Sequence, residues 1–306
     1  MKTAFETPIL FLIFNRPDTT QLVFNEIRKQ KPKYLFVAAD GPRSHKPGEA
    51  EKCEDTRAII QQIDWDCEVK TLFREENLGC GRAVSSSITW FFDNVEEGII
   101  LEDDCLPNDS FFKFTSDLLR KYKDDERVFA ISGDNFIGQL MPNNESYYFS
   151  IYNHVWGWAS WKRAWKHYDL GMKSWPSIKK SGHLKTIFEN KKQFSYWVNI
   201  FDACYAGKID TWDYQWTFAC WSRNGLTILP ALNLIRNIGF DERATHTKDE
   251  NGFSLETLEL DFPLRNPNEI KQNLIFDELT WQKNFKPKKL SKRIIDKLAS
   301  LRALLK

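Results

Sequence analysis

Three consecutive acids, Glu102, Asp103 and Asp104, follow the apolar run Gly98-Ile99-Ile100-Leu101. Three carboxylates at the end of a buried strand repel one another, and a hard divalent cation relieves that repulsion. Mg2+ or Mn2+ takes one or two carboxylates and fills its other positions with phosphate oxygens and water. The triplet also suits a solvated acidic turn opening a helix, with Asn108 or Asp109 as the cap. Asp40, before Gly41-Pro42, has two readings as well. Its carboxylate can accept the ring N–H of uracil, thymine or guanine, or it can bond its own backbone in a turn. Arg16, in Phe14-Asn15-Arg16-Pro17, suits bidentate capture of a diphosphate. Arg82, in Asn77-Leu78-Gly79-Cys80-Gly81-Arg82, stands at a glycine-marked helix start, where amides and dipole favour anions. A structural surface arginine fits either position equally well.

These residues need elements to hold them. Apolar runs predict strands over Pro8–Asn15, Tyr34–Asp40, Cys67–Phe73, Gly98–Glu102 and Arg127–Ser132. Helical spacing lies between them, as in Val84, Ile88 and Phe91, or Phe111, Thr115, Leu118 and Tyr122. Near-continuous apolar strands alternating with helices predict an α/β fold, a mostly parallel twisted sheet covered on both faces. Ligands bind such sheets beyond the carboxyl ends of the strands, where Arg16, Asp40, the triplet and Gly133-Asp134-Asn135 all fall.

The second half reads differently. Tyr147–Ile151 suits one more strand. Trp161, Ala164, Trp165 and Tyr168 are spaced for one face of a helix, with Trp156 and Trp158 in the turn before it. Those two indoles suit stacking on an acceptor sugar, and packing against the sheet is the alternative. Phe194, Trp197, Val198, Phe201 and Tyr205 predict another helix, and Asp213 precedes a third apolar-aromatic stretch, where it suits an N-cap. The stretch 249–278 is polar and loop-rich. No linker separates the halves, which predicts one domain over 1–282, with a first half to about 140 and an aromatic-rich second half over 141–282.

The chain has 306 residues and a formal net charge of +1, which excludes a strongly basic nucleic-acid binder. Twelve Trp demand either an aromatic core or a surface that grips flat ligands. Six Cys without a CxxC pair suit a reduced, cytoplasmic protein. The early apolar run Ile9–Phe14 is too short to span a bilayer. Charge is unevenly placed. From Lys283 to Lys306 nine Lys or Arg face one acid, Asp296, so this segment is +8 and the remainder −7. Leu290, Ile294, Leu298, Leu301 and Leu305 share one helical face there. A basic amphipathic helix of this kind suits peripheral attachment to an anionic membrane surface, or docking on the chain's own acidic remainder.

Asn15-Arg16-Pro17, Asp40-Gly41, Asn77-Leu78-Gly79 and above all Glu102-Asp103-Asp104 resemble the nucleotide-sugar half of GT-A-fold glycosyltransferases of the bacterial family-2-like kind. The order of Gly157-Trp158, Trp212-Asp213 and Pro230 through Thr245-His246 is distantly similar to N-acetylglucosaminyltransferase I. The resemblance covers roughly residues 8–247. One difference is that Tyr214 follows Asp213 where the relative has a second Asp. The resemblance implies a metal-dependent inverting transfer from a nucleotide-sugar donor, a UDP-sugar foremost, to a glycan or glycolipid acceptor in surface polysaccharide synthesis. It implies that Asp104 holds Mn2+ or Mg2+ with His246 nearby, and that Glu102 and Asp103 contact ribose and sugar hydroxyls. It further implies that Asp40 reads the base beside Arg16, that Asp213 is the general base, and that the loop 237–247 orders over the donor.

Two other functions compete. A sugar-nucleotide pyrophosphorylase shares the sheet type, but its glycine-rich basic turn after the first strand is missing from Phe14-Asn15-Arg16-Pro17-Asp18. A non-catalytic carbohydrate-binding protein accounts for the indoles but not for the acidic strand end. A dinucleotide-dependent oxidoreductase requires GxGxxG after the first strand, and the sequence has none there.

Overall fold

Every residue of the first strand, β1 (Ile9–Ile13), is buried, so both of its faces must be covered. Its alternation divides the core. Ile9, Phe11 and Ile13 join one apolar cluster, and Leu10 and Leu12 join another on the opposite face of the sheet. The structure is a computed structural model that describes residues 5–138, 144–239 and 255–286.

Ten strands are present among those residues. After β1 come β2 (Tyr34–Ala39), β3 (Glu68–Phe73), β4 (Glu97–Glu102), β5 (Cys105–Pro107), β6 (Val128–Ser132), β7 (Tyr147–Ser150), β8 (Trp158–Trp161), β9 (Leu226–Pro230) and β10 (Ile235–Asn237). Eight form one sheet in the order β3-β2-β1-β4-β8-β6-β9-β7, while β5 and β10 make a separate antiparallel ribbon. β3, β2, β1 and β4 are mutually parallel, β6 and β9 pair in parallel, and β8 and β7 run antiparallel to their neighbours. The sheet therefore draws strands from both halves of the chain. The predicted α/β class and all six predicted strands are present, with ends shifted by one or two residues.

The helices are α1 (Pro17–Gln30), α2 (Glu49–Ala58), α3 (Cys80–Asn94), α4 (Asp109–Lys121), α5 (Lys162–Trp165), α6 (Trp175–Ser181), α7 (Leu184–Ile187), α8 (Lys191–Tyr205), α9 (Asp213–Trp221) and α10 (Leu274–Thr280). α1 begins at Pro17, whose fixed φ suits a first helical position. α4 is capped by Asn108, whose side chain accepts from the Phe111 amide at 3.1 Å.

Chain direction sets the site. From β1 the chain runs outward to β2 and β3, then returns to add β4 on the other side of β1. A crevice opens at such a reversal, beyond the carboxyl ends of β1 and β4. Leu12 lies opposite Glu102 in the ladder, so the turn carrying Arg16 and the acidic triplet emerge side by side.

The tryptophans are mostly interior. Nine of the twelve are buried, and only Trp65, Trp90 and Trp156 are partly open. This corrects two expectations. Trp158 does not sit in a turn able to meet a sugar; it lies in β8, is 1% exposed, and stacks on Trp212 at 5.7 Å between ring centroids. Trp161 does not share a helix face with Trp165. It closes β8 opposite Glu97, its ring lies in the core cluster on the other face of the sheet, and the helix that follows is a single turn. The ladder to β4 overrides the local helical spacing. The predicted 283–306 helix falls outside the described residues beyond 286.

The polar stretch 249–278 is irregular from residue 255 until α10 begins. Asp277 of α10 turns inward, where its carboxylate accepts from Ser150 Oγ at 2.5 Å, Gln272 Nε2 at 2.8 Å and the Ile151 amide at 3.3 Å. Burial still dominates and pushes its pKa up to about 6. An acid whose folded pKa is raised stabilises the fold fully below its unfolded pKa of about 4, and that contribution is lost as pH rises through the folded value. The melting temperature is therefore expected to carry a decline between about pH 4 and 6 from this group. Melting curves of Asp277→Asn should lack that decline; an unchanged pH profile would remove the assignment.

Candidate functional site

At the β1–β4 reversal, Arg16 Nη1 donates to Asp104 Oδ2 at 2.9 Å and lies 4.0 Å from Asp103 Oδ1. The pairs are largely shielded, with Arg16 and Asp103 side chains each 12% exposed and Asp104 20%. Asp103 Oδ2 also accepts from the Phe14 amide at 3.2 Å, which ties the triplet to the end of β1. Burial, then Asp104, Asp103 and Asp213, raise the Glu102 pKa well above the carboxylate range. Burial and then Asp104 raise Asp103 in the same way, with Arg16 opposing. The crowding of negative charge that the sequence implied is therefore real in the fold.

Asp213 reaches this site from the other half of the chain. It is the first residue of α9, not its cap, and Thr211 Oγ1 donates to it. Its charge bears on Glu102, Cys80, Tyr168 and Tyr214. Burial, followed by Glu102, Asp210 and Asp213, pushes the Cys80 thiol up to about 12, so it stays protonated and is no nucleophile at neutral pH.

The ribbon brings in a third segment. β10 pairs with β5 directly after the triplet, and the Ile238 amide donates to the Asp104 carbonyl at 2.8 Å. Gly239 then packs so closely that a Cβ there would lie 2.1 Å from Asp104 Oδ2. Gly239→Ala is expected to displace that carboxylate. An ångström-scale misplacement costs up to about 100-fold in turnover, and nucleotide affinity should fall while the melting temperature changes little. Wild-type affinity in Gly239→Ala would show that Asp104 is not the anchoring group. The predicted closing loop 237–247 lies outside the described residues from 240 onward, and His246 with it.

Other predicted residues take different places. Asp40 follows β2 on the same rim, and its oxygens bond the loop. They accept from the Gly41 amide at 3.0 Å, the Leu78 amide at 3.0 and 3.1 Å, and Asn77 Nδ2 at 2.9 Å. This is the turn reading, extended across to the loop after β3. Burial raises the Asp40 pKa against those donors. Arg82 is exposed on α3, and the anion at that helix's start is supplied by the protein: Asp210 Oδ1 accepts from the Gly81 amide at 3.0 Å. A Cβ at Gly81 would lie 2.7 Å from that oxygen, which accounts for the glycine. Trp156 is partly open and meets Phe136 edge-on at 4.8 Å between centroids. Asp134, beyond β6, is buried and 2.8 Å from His154 Nδ1, a pair that sequence spacing does not reveal.

Glu49 is a further residue that sequence reasoning missed. It sits in a strongly charged helix, yet it is 5% exposed. Its carboxylate accepts from Asn15 Nδ2 at 2.9 Å and from the Arg43 amide at 2.7 Å, joining the loops that follow β1 and β2. Arg43 also lies over the Phe14 ring at 5.5 Å.

The donor chemistry can be tested against a divalent metal. Among the described residues, no group of three or more His, Cys, Asp or Glu converges to hold one without help. One carboxylate completed by a ligand's phosphate oxygens does fit, and Asp104 already carries a cationic group, Arg16, at 2.9 Å.

No family model matches the chain, and no curated protein matches it by sequence. Among solved structures, HddC from Yersinia pseudotuberculosis is 10% identical with a TM-score of 0.31, over 51% of this chain and 77% of its own. A putative glucose-1-phosphate thymidylyltransferase from Bacillus anthracis is 5% identical with a TM-score of 0.33, over 52% and 73%. The 4-diphosphocytidyl-2C-methyl-D-erythritol synthase from Anaerococcus prevotii is 9% identical with a TM-score of 0.34, over 73% and 88%. Likeness at this level decides nothing about the chemistry of this chain.

Proposed function

We propose that the chain is an inverting glycosyltransferase that moves a sugar from a nucleoside diphosphate, with UDP-sugars foremost, to a hydroxyl of a glycan or lipid-linked glycan in surface polysaccharide synthesis. The observation that carries this is the meeting of Arg16, Glu102, Asp103 and Asp104 with Asp213 from the other half of the chain. A site for such a transfer needs charge control on the leaving-group side and a single base on the acceptor side.

In this reading Glu102 and Asp103 orient donor ribose and sugar hydroxyls. Arg16 exchanges its carboxylate partner for the donor diphosphate, which it can hold bidentately. Asp104 would hold Mn2+ or Mg2+; the ion, when bound, supplies Lewis-acid stabilisation of the departing diphosphate. Asp213 accepts the proton of the acceptor hydroxyl as its oxygen bonds to the anomeric carbon. The bond from that carbon to the phosphate oxygen breaks, and the nucleoside diphosphate leaves. Trp156, partly open beside Phe136, is the indole assigned to the acceptor sugar in this reading.

Product analysis tests the reaction class. Nucleotide sugars with a glycan acceptor should yield nucleoside diphosphate. Nucleoside triphosphates with sugar 1-phosphates should yield no pyrophosphate. Pyrophosphate formation would instead establish the pyrophosphorylase reading, and binding of glycans without turnover would establish a carbohydrate-binding protein.

A further inference from the structure

We infer that the outward face of α10 is a docking surface for an anionic lipid bilayer. α10 buries Phe276, Asp277 and Thr280, and turns Leu274, Ile275 and Leu279 to solvent at 69%, 72% and 38% exposure. Adjacent apolar side chains this open mark an interaction surface rather than ordinary scatter. Exposed Lys271 and Lys283 flank them. The acid on that face, Glu278, is engaged by Gln193 Nε2 at 2.7 Å and by Gln282.

The sequence beyond Lys286 says what covers the patch. Its twenty residues carry seven Lys or Arg and one acid, Asp296, and its apolar residues Leu290, Ile294, Leu298, Leu301 and Leu305 recur at three- and four-residue intervals. Apolar side chains bordered by cations match the layering of acyl chains and anionic headgroups. A second copy fits worse, because it would bring two +8 segments together. The chain's own tail fits worse too, since three side chains make a small platform for five. No helix among the described residues is long and apolar enough to cross a membrane.

The test is co-sedimentation of the full chain with vesicles of phosphatidylcholine, alone or mixed with phosphatidylglycerol. The chain should partition onto the mixed vesicles only and leave them at about 1 M salt, where screening is nearly complete. The double variant Leu274→Asp, Ile275→Asp changes two exposed positions and should keep the wild-type melting temperature. Its partitioning should fall at least about tenfold, as loss of acyl contact predicts. Replacing Lys288, Lys289, Lys292 and Arg293 by Gln should do the same. Equal partitioning of the double variant and wild type, or equal binding to both vesicle types, would overturn the proposal. So would stronger vesicle binding after truncation at Lys286, which would mark the tail as the patch's cover, or a dimer in the wild type that the double variant loses. None of these outcomes depends on the reaction the enzyme performs.

Discussion

Asp104→Ala is expected to abolish metal-dependent nucleotide binding while the protein stays folded. Asp104 is the one member of the triplet engaged at hydrogen-bond distance by Arg16, and Gly239 packs against its carboxylate from the other side. Removing a residue that only supports a metal ligand already costs 10–100-fold in affinity, so losing the ligand itself should cost more than about 100-fold. Calorimetric titration of UDP in the presence of Mn2+ measures this. Without metal, the variant and wild type should bind UDP with similar, weak affinity, because the Mn2+ contribution is then missing from both. A variant that retains the Mn2+-dependent gain in affinity would move the metal to other residues.

Asp213→Asn is expected to collapse turnover and leave donor affinity near normal. The substitution keeps the shape of the side chain and can still bond Thr211, but it removes the basic oxygen. General-base catalysis contributes about 100- to 10,000-fold, and a loss of that size should appear in kcat with little change in donor KM. The anomeric configuration of the wild-type product belongs to the same test, because one base without a nucleophile gives inversion. Turnover within a few fold of wild type, or a product that keeps the donor's configuration, would remove Asp213 from the role.

The sheet was largely readable in advance because parallel strands buried on both faces leave near-continuous apolar runs, as in Ile9–Ile13. β8 was not. Trp158–Trp161 is followed at once by the single-turn α5, so Trp161, Ala164 and Trp165 fall at helical spacing although the ladder partner Glu97 holds the first of them in a strand. The abundance of indole could mean core or ligand platform, and only burial decides; Trp158 belongs to the core and Trp156 is still open to solvent.

The site divides along the same line. Glu102-Asp103-Asp104 is contiguous, and the apolar strand before it fixes its position, so its neighbours could be inferred from strand order. The carboxylate of Asp210 at the start of α3 comes from 129 residues away, and the bonds from the 77–78 loop to Asp40 cross 37 and 38 positions. Those partners give Asp40 and the start of α3 bonds within the protein. No local spacing signals them, because each depends on where a distant loop comes to rest.

The account rests on a metal-assisted nucleotide site at the β1–β4 reversal, and a thermal-shift matrix on the wild-type chain tests it most directly. UDP, dTDP, GDP and CDP are each added with and without Mn2+. A ligand present at about 100 times its Kd stabilises the native state by about 2.7 kcal/mol, which raises the melting temperature by about 5 °C for a chain of this size. The expected result is a rise of that order for UDP with Mn2+, a much smaller one for UDP alone, and no comparable rise for Mn2+ alone. Melting temperatures that no nucleotide moves, with or without the metal, would contradict it.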